Sequence, residues 1–328
     1  MSDPEPEHAF AGYVRTLGRG PGRSRALTRE EAREALAMVL RGEAAPEQVG
    51  AFLMLLRYRG EAADEIAGLV EAARDVFQAG TPPGCPPVQL DWPSYGAGRT
   101  RGEPWFLLAA LALAAAGVTT LMHGSNEFSK GTAVEAGLAE LGLLIARSRE
   151  EAAAELARTR FAYLPLAALS PALDRLLTLR GLLGLRSPIN TVVRLINPFD
   201  ASFAVGGVFH PAYIEVHLGA AERLARQRLA VVKGGGGEAE RNPAKPIAVH
   251  VWDAAAGRAE LLLPPAPLPG EAGTLSEAWH TGVGPGAATA RATVALALLA
   301  LGRASDPESA DRMADSVWAD RLHLHQAA

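Results

Sequence analysis

The sequence predicts an α/β protein with a small α-helical N-terminal domain at residues 1–80 and a larger α/β domain at residues 81–328. Three observations lead to this fold class. Apolar residues recur at helical spacing over residues 7–78, and the proline-rich stretch from Thr81 to Pro87 then stops the helical pattern. Beyond it, short apolar runs alternate with loops and helical segments, which is typical of a mainly parallel central sheet with crossover helices.

Helix signals carry the prediction for the N-terminal domain. Thr28 and Glu31 have the spacing of a capping box, in which each side chain bonds the other residue's backbone amide, and an apolar series follows them. Gly42 is placed to end this helix, and Pro46 suits the start of the next one. A further amphipathic series runs through residues 66–76, so about four helices are expected here.

In the larger domain the alternation of patterns places the individual elements. Strands are predicted at 88–90, 118–122, 204–209, 229–232 and 247–251, and helices at 104–116, 133–141, 213–226, 287–301 and 309–322, the last two at the periphery. Parallel strands end at one edge of a sheet, where ligands bind. The loops at 94–102, 123–132 and 233–245 are therefore expected to converge there.

Composition limits the class of protein. With 48 % apolar and 21 % charged residues, the 328-residue chain is expected to be globular. Its single cysteine, Cys85, excludes an internal disulfide and suits a reducing compartment. The first ten residues lack the apolar core of a signal peptide, and the apolar run at 105–117 is shorter than the roughly 20 residues that span a bilayer. We expect a cytoplasmic protein with no membrane partner.

The charge distribution leaves two interpretations open. A net charge of −4 and a pI near 6.1 argue against a nucleic-acid partner. Residues 91–250, however, contain 17 Lys plus Arg against 14 Asp plus Glu, a net of +3, which leaves −7 for the remainder. This segment has either a local basic surface or a solvated mixture of charges.

The stretch VVKGGGGEAERNPAKP, residues 231–246, concentrates unusual chemistry. Two valines suit the end of a strand, and Lys233 and four glycines follow them directly. Glycine permits backbone conformations in which amides face a phosphate, and the other two loops also place glycine beside basic or hydroxyl residues. The alternative is a flexible surface loop.

Several motifs together resemble one known family. They are RYRGEAADEIAGL (57–69), HGSNEFSKGTAVEAGLAELG (123–142), RGLLGLRSPINTVVRLINP (180–198) and VVKGGGG (231–237). In this order they are similar to the anthranilate phosphoribosyltransferases, the family 3 glycosyltransferases, over about residues 8–320. The resemblance implies a nucleoside phosphorylase/phosphoribosyltransferase-like fold. It also implies that the small domain, joined by helices from about 160–185, forms a homodimer, with a site in the cleft between the domains.

Members of this family bind phosphoribosyl pyrophosphate through a GTGGD-type loop, with magnesium held partly by an Asp-Glu pair. This chain departs from both motifs: its first loop reads DWPSYGAGRT from Asp91, and Ala239 replaces one acid of the pair. Lys233 also stands where the enzymes have a neutral side chain. We therefore expect no cofactor, and Glu238 and Glu240 are the candidate ligands if magnesium binds after all.

Other family positions are retained. The resemblance implies catalytic roles for His123 and Arg180 if the chain is an enzyme, the latter in recognition of an aromatic acid. Alternatively, His123 caps a strand end and Arg180 pairs with Asp174. The remains of a phosphoribosyl pocket would be Tyr95, Gly96, Gly98, His123, Gly124, Ser129 and Thr132.

HPAYIEVH (210–217) and the glycine loop are similar to the YbiB-type branch of the family. That branch keeps the fold and binds nucleic acids non-specifically, so the resemblance implies the same here. The candidate phosphate-binding residues are Arg99, Arg101, Lys130, Lys233, Gly234, Gly235, Arg241 and Lys245. Tyr95 or Trp92 is a candidate for base stacking, with core packing as the alternative for Trp92.

Three functions remain as hypotheses. The first is a homodimer that binds DNA or RNA electrostatically, without sequence preference. The alternative is a phosphoribosyltransferase that uses phosphoribosyl pyrophosphate, magnesium and an unidentified acceptor, without activity on anthranilate. The third is a structural dimer that senses a nucleotide or phosphate.

Overall fold

The computed structural model describes residues 8–20, 22–96, 102–127, 131–266, 268 and 273–325. A helical region comes first and an α/β region follows, so the predicted fold class is confirmed. The first region contains α1 (Ala11–Gly18), α2 (Arg29–Arg41), α3 (Pro46–Arg59) and α4 (Ala63–Val76). In it, α2 packs against α4 and α1 against α3.

The predicted capping box opens α2. The Thr28 hydroxyl accepts a hydrogen bond of 3.2 Å from the Glu31 amide, and the Glu31 carboxylate accepts one of 2.9 Å from the Thr28 amide. Gly42 ends the helix in the left-handed conformation, at φ 77°. These bonds satisfy amides that the first helical turn leaves without a partner inside the helix.

A seven-stranded sheet forms the centre of the α/β region, in the order β3-β2-β1-β4-β5-β6-β7. Its strands are β1 (Leu90–Ser94), β2 (Thr120–Gly124), β3 (Phe161–Pro165), β4 (Phe203–Val208), β5 (Arg228–Lys233), β6 (Ile247–Asp253) and β7 (Gly257–Leu263). The first five strands of this order are parallel, and β6 and β7 pair antiparallel at one edge. The sheet is therefore mainly parallel, as predicted.

Helices cover both faces of the sheet. They are α5 (Trp105–Ala115), α6 (Val134–Glu140), α7 (Arg149–Thr159), α8 (Leu166–Leu169), α9 (Pro171–Thr178), α10 (Arg180–Leu183), α11 (Ile189–Val192), α12 (Ala212–Arg223), α13 (Leu275–Thr281), α14 (Gly284–Ala300) and α15 (Pro307–Ala319), with 3₁₀ turns at Gly235–Gly237 and Arg321–His325. The expected peripheral position of residues 287–301 is wrong. Almost all of α14 is buried, because it packs against α5, β4 and β5.

Alternation along the strands separates two apolar cores. Leu121 and Val231 point into a core shared with the N-terminal helices and α12, whereas Met122 and Val232 point into a core shared with α5 and α14.

Among the described helices, none is by itself long and apolar enough to cross a membrane. The pair α13 and α14 meets the length and composition criteria only together, with a bend of 75°.

Candidate functional site

The ends of β1 and β2 hold a buried polar cluster of Asp91, Tyr95 and His123. Tyr95 Oη lies 2.8 Å from His123 Nδ1, and Asp91 Oδ1 lies 3.1 Å from His123 Nε2, at an angle outside hydrogen-bond geometry. Pro93 is opposite His123 in the parallel register, so alternate residues of β1 reach the same face as the imidazole. Burial raises the pKa of Tyr95 well above its ordinary value. The two ring nitrogens of His123 thus face two different side chains: Nε2 faces Asp91 in β1, and Nδ1 faces Tyr95, the residue after β1.

The first two predicted loops leave the sheet in contact with each other. A Cβ on Gly124 would lie 2.0 Å from the Ser94 carbonyl oxygen, so only glycine fits at this close approach. Gly96 is buried after Tyr95, and the Thr132 hydroxyl donates a 3.0 Å hydrogen bond to Glu103. The convergence of these two loops agrees with the sequence prediction.

Arg194, which the sequence analysis missed, connects the first loop with the third. Its Nη2 donates to the Tyr95 carbonyl at 2.6 Å, and its Nη1 donates to the Asn190 carbonyl at 2.6 Å. A Cβ on Gly237 would lie 3.3 Å from the same Nη2. Burial lowers the pKa of Arg194, and the charge of Glu238 opposes this shift. A lone arginine within the apolar run TVVRLI was the available signal.

The glycine loop folds back on itself after β5. Lys233 ends the strand with an exposed side chain, and Lys245 is exposed in the turn that follows Asn242. A Cβ on Gly234 would lie 1.6 Å from the Glu238 carbonyl oxygen, whereas one on Gly235 would meet nothing within 4 Å. The loop is therefore packed, and its two lysines point outward.

The structure places Arg241 away from this exposed edge. Its side chain is 1 % exposed, with Nη1 2.7 Å from Asp311 and Nη2 2.8 Å from the Pro264 carbonyl. Asp311 belongs to α15, so the arginine anchors that helix to the segment after β5. The prediction of Arg241 as a phosphate-binding residue is not supported, because its buried guanidinium is committed to Asp311 and the Pro264 carbonyl.

The carboxylates that the family would use for magnesium do not fit such a site. Glu240 accepts a 3.1 Å hydrogen bond from the Phe106 amide, Glu238 is 2 % exposed, and Ala239 offers no ligand atom. Magnesium needs several oxygen ligands in near-octahedral geometry. Within the described part of the chain, no group of three or more His, Cys, Asp or Glu side chains could hold a metal ion.

Cations instead surround a cavity of about 100 Å³ at the end of β4. Arg57 and Arg186 lie at its rim, and Arg194 lines its interior. Burial lowers the pKa of Arg186, and the charges of Arg180 and Arg57 lower it further, so these guanidinium groups repel one another. We name Arg57, Arg180 and Arg186 the arginine cluster. It brings the predicted Arg180 together with Arg57, which sequence reasoning did not single out.

The remaining predicted residues divide into two groups. Gly98, Arg99, Arg101, Ser129 and Lys130 lie outside the described residues. Trp92 and Tyr95 are described, and their side chains are 0 % and 1 % exposed. Trp92 stacks on Phe106 with ring centroids 6.5 Å apart. Base stacking by either residue is therefore wrong, and core packing is correct for Trp92.

Two family models match the chain. The helical-bundle domain of the glycosyl transferase family matches residues 12–76, and the α/β domain of the same family matches residues 106–277. The second match covers more than half of the 328 residues. The chain therefore belongs to this family, glycosyl transferase family 3.

Sequence relatives within the family include YbiB and anthranilate phosphoribosyltransferases. The uncharacterized protein YbiB of Escherichia coli (strain K12) is 30 % identical over 207 residues, covering 62 % of this chain and 64 % of YbiB. The anthranilate phosphoribosyltransferase of Methylobacterium nodulans is 32 % identical over 242 residues, covering 74 % of this chain and 69 % of that enzyme. The matches thus span about two thirds of each relative.

Solved structures share the fold over nearly the whole length. The anthranilate phosphoribosyltransferase of Thermus thermophilus superposes with a TM-score of 0.78 at 25 % identity, covering 98 % of both chains. The Saccharomyces cerevisiae enzyme in complex with phosphoribosyl pyrophosphate and magnesium gives 0.75 at 16 % identity, covering 97 % of this chain and 95 % of that one. This chain has a phosphoribosyltransferase-like fold.

Proposed function

We propose that the protein binds the sugar-phosphate backbone of DNA or RNA at the carboxyl edge of its parallel strands, without reading sequence. The arginine cluster is the observation that carries this proposal. Its guanidinium groups repel one another, and a phosphodiester between them relieves that repulsion and forms charge-assisted hydrogen bonds. Each phosphate that is neutralised also releases counterions.

Lys233 extends this positive region along the sheet. Its Cα partner in β4 is Val208, which lines the cavity beside the arginine cluster. Among the described residues, Lys233 and Lys245 have no ion-pair partner, so both are available to an external anion. Burial raises the pKa of the Glu61 carboxyl, which interacts with Arg57. Burial thus disfavours the negative charge of this carboxyl beside Arg57.

Fluorescence anisotropy with labelled oligonucleotides tests the proposal. The double variant Lys233→Ala/Lys245→Ala is expected to bind more weakly than the wild type at low salt, and equally so for unrelated sequences. Arg303→Ala is the matched control, because Arg303 is an exposed cation that follows α14 near the opposite, starting end of β5. Unchanged binding by the double variant would move the site away from the glycine loop.

The family membership favours a second candidate, phosphoribosyl transfer. Several relatives are anthranilate phosphoribosyltransferases, and the yeast enzyme binds phosphoribosyl pyrophosphate with magnesium. In this chain Arg180 and His123 stand at matching positions, but Tyr95, Ala239 and the hydrogen-bonded Glu240 do not provide the corresponding metal site. Calorimetry with phosphoribosyl pyrophosphate, with and without magnesium, separates the candidates. Saturable heat of binding would support phosphoribosyl transfer. A flat titration would show that the protein does not bind phosphoribosyl pyrophosphate, the donor substrate of that reaction.

A further inference from the structure

Two residues that line the cavity beside the arginine cluster each carry a buried polar side-chain atom that has no hydrogen-bond partner among the described residues. They are Nδ2 of Asn190 and Nε2 of His217, whose side chains belong to residues only 8 % and 3 % exposed. Leaving such atoms unpaired is unfavourable, because each has lost its water without gaining a protein partner. A ligand that supplies complementary atoms recovers this energy.

The surrounding bonds fix the chemistry of both atoms. Asn190 Oδ1 accepts a 3.1 Å hydrogen bond from the Ser187 amide, so Nδ2 is a donor that faces away from that amide. His217 Nδ1 lies 2.7 Å from the Tyr213 carbonyl, which can only accept, so Nδ1 carries the hydrogen. Burial lowers the pKa of His217 to about 4, and the neutral ring leaves Nε2 as an acceptor. The residues that line the cavity therefore supply one donor and one acceptor that have no partner.

The rim adds an aromatic surface and positive charge. Phe209 is 44 % exposed, lies perpendicular to His210 at a centroid distance of 4.8 Å, and has the Arg186 guanidinium 5.8 Å from its ring centre. Arg57 donates to the Tyr213 hydroxyl at the same rim. A cavity of about 100 Å³ has the volume of roughly three waters, which suits a single planar ring rather than a base pair.

We propose that this cavity receives one unpaired base of a single-stranded nucleic acid. The base edge pairs with Asn190 and His217, its face contacts Phe209, and the adjoining phosphate lies against Arg57 and Arg186. A nucleobase edge carries donors and acceptors side by side, which matches the two unpartnered atoms. This inference rests on the proposed nucleic-acid binding and adds that single strands are preferred over duplexes, whose bases are already paired and stacked.

Anisotropy with three ligands of equal length tests the inference: a single strand, a blunt duplex and a single strand of abasic sites. The wild type is expected to bind the ordinary single strand best. Phe209→Ala is expected to lose about tenfold in affinity for it, because base stacking on an aromatic ring is worth about 1–3 kcal/mol. The same variant should bind the duplex and the abasic strand as the wild type does.

Met313→Ala is the control, since Met313 is 37 % exposed on α15, on the other side of the sheet from this cavity. Thermal melting confirms that Phe209→Ala folds. If wild type and Phe209→Ala bind the single strand equally, or if the variant loses all three ligands alike, the base pocket is wrong while backbone binding stands. If the wild type binds none of the three ligands at low salt, the proposed function itself is wrong and the inference falls with it.

Discussion

The hydroxyl of Tyr95 lies 2.8 Å from Nδ1 of His123, and both side chains are buried. Residues that the family pattern assigns to a phosphoribosyl pocket therefore hold two neighbouring strands together in this chain. Tyr95→Phe removes the hydroxyl and leaves His123 Nδ1 without its partner. We expect the free energy of unfolding to fall by about 1–3 kcal/mol, measured by urea denaturation.

The control for that variant is Tyr58→Phe. Tyr58 is 91 % exposed, so losing its hydroxyl should change the free energy of unfolding by no more than about 0.5 kcal/mol. Equal stability of Tyr95→Phe and the wild type would show that the Tyr95–His123 bond does not support the fold.

Two adjacent glycines provide a matched pair of substitutions. A Cβ at position 234 would lie 1.6 Å from the Glu238 carbonyl oxygen, and one at position 235 would meet nothing within 4 Å. Gly234→Ala must push the loop apart and should destabilise the protein by about 1–3 kcal/mol. Gly235→Ala should change stability by about 0.5 kcal/mol or less. Equal effects in chemical denaturation would mean that the loop is not packed as described.

His217 gives the stability of the protein a predictable dependence on pH. Its pKa falls from 6.5 in the unfolded chain to about 4 in the folded one, because burial disfavours the charged ring. Between these values the unfolded state binds more protons, so stability is full above pH 6.5 and falls as the pH drops toward 4. The loss by pH 4 is about 3 kcal/mol.

His217→Gln should remove that dependence and flatten the acid limb of a plot of unfolding free energy against pH. His280→Gln is the control, because His280 is exposed at the end of α13. An acid limb of the same depth in His217→Gln and the wild type would assign the pH dependence to other groups.

Local signals predicted much of the fold. The Thr28–Glu31 capping box and the alternation of strands and helices are confirmed because they depend on neighbouring residues. The first strand was predicted at 88–90 but spans Leu90–Ser94, and Pro93 within it is a residue type that argues against a central strand. In the structure β4 pairs only with Leu90 and Asp91, so Pro93 lies where pairing on that side has ended. The strand β7 was missed because four of its seven residues are exposed and the sequence GRAELLL does not alternate cleanly.

The candidate site was less predictable than the fold. Lys233 was placed correctly at a strand end, where sequence pattern alone suffices. Arg241 was misplaced, because only the tertiary contact with Asp311, 70 residues later, takes it into the interior. Asn190, Phe209 and His217 meet in one cavity although they belong to three different segments. A local sequence pattern cannot predict that three distant residues line the same cavity. The domain boundary at residues 80 and 81 and the homodimer stay predictions.

The salt dependence of oligonucleotide binding tests the central claim most directly. The account predicts binding at low salt whose logarithm of affinity falls linearly with the logarithm of salt concentration, for DNA and RNA of any sequence. In Lys233→Ala/Lys245→Ala the slope should be smaller by about 2, one for each lost phosphate contact. Absence of binding at low salt, or an affinity that salt does not change, would contradict the account.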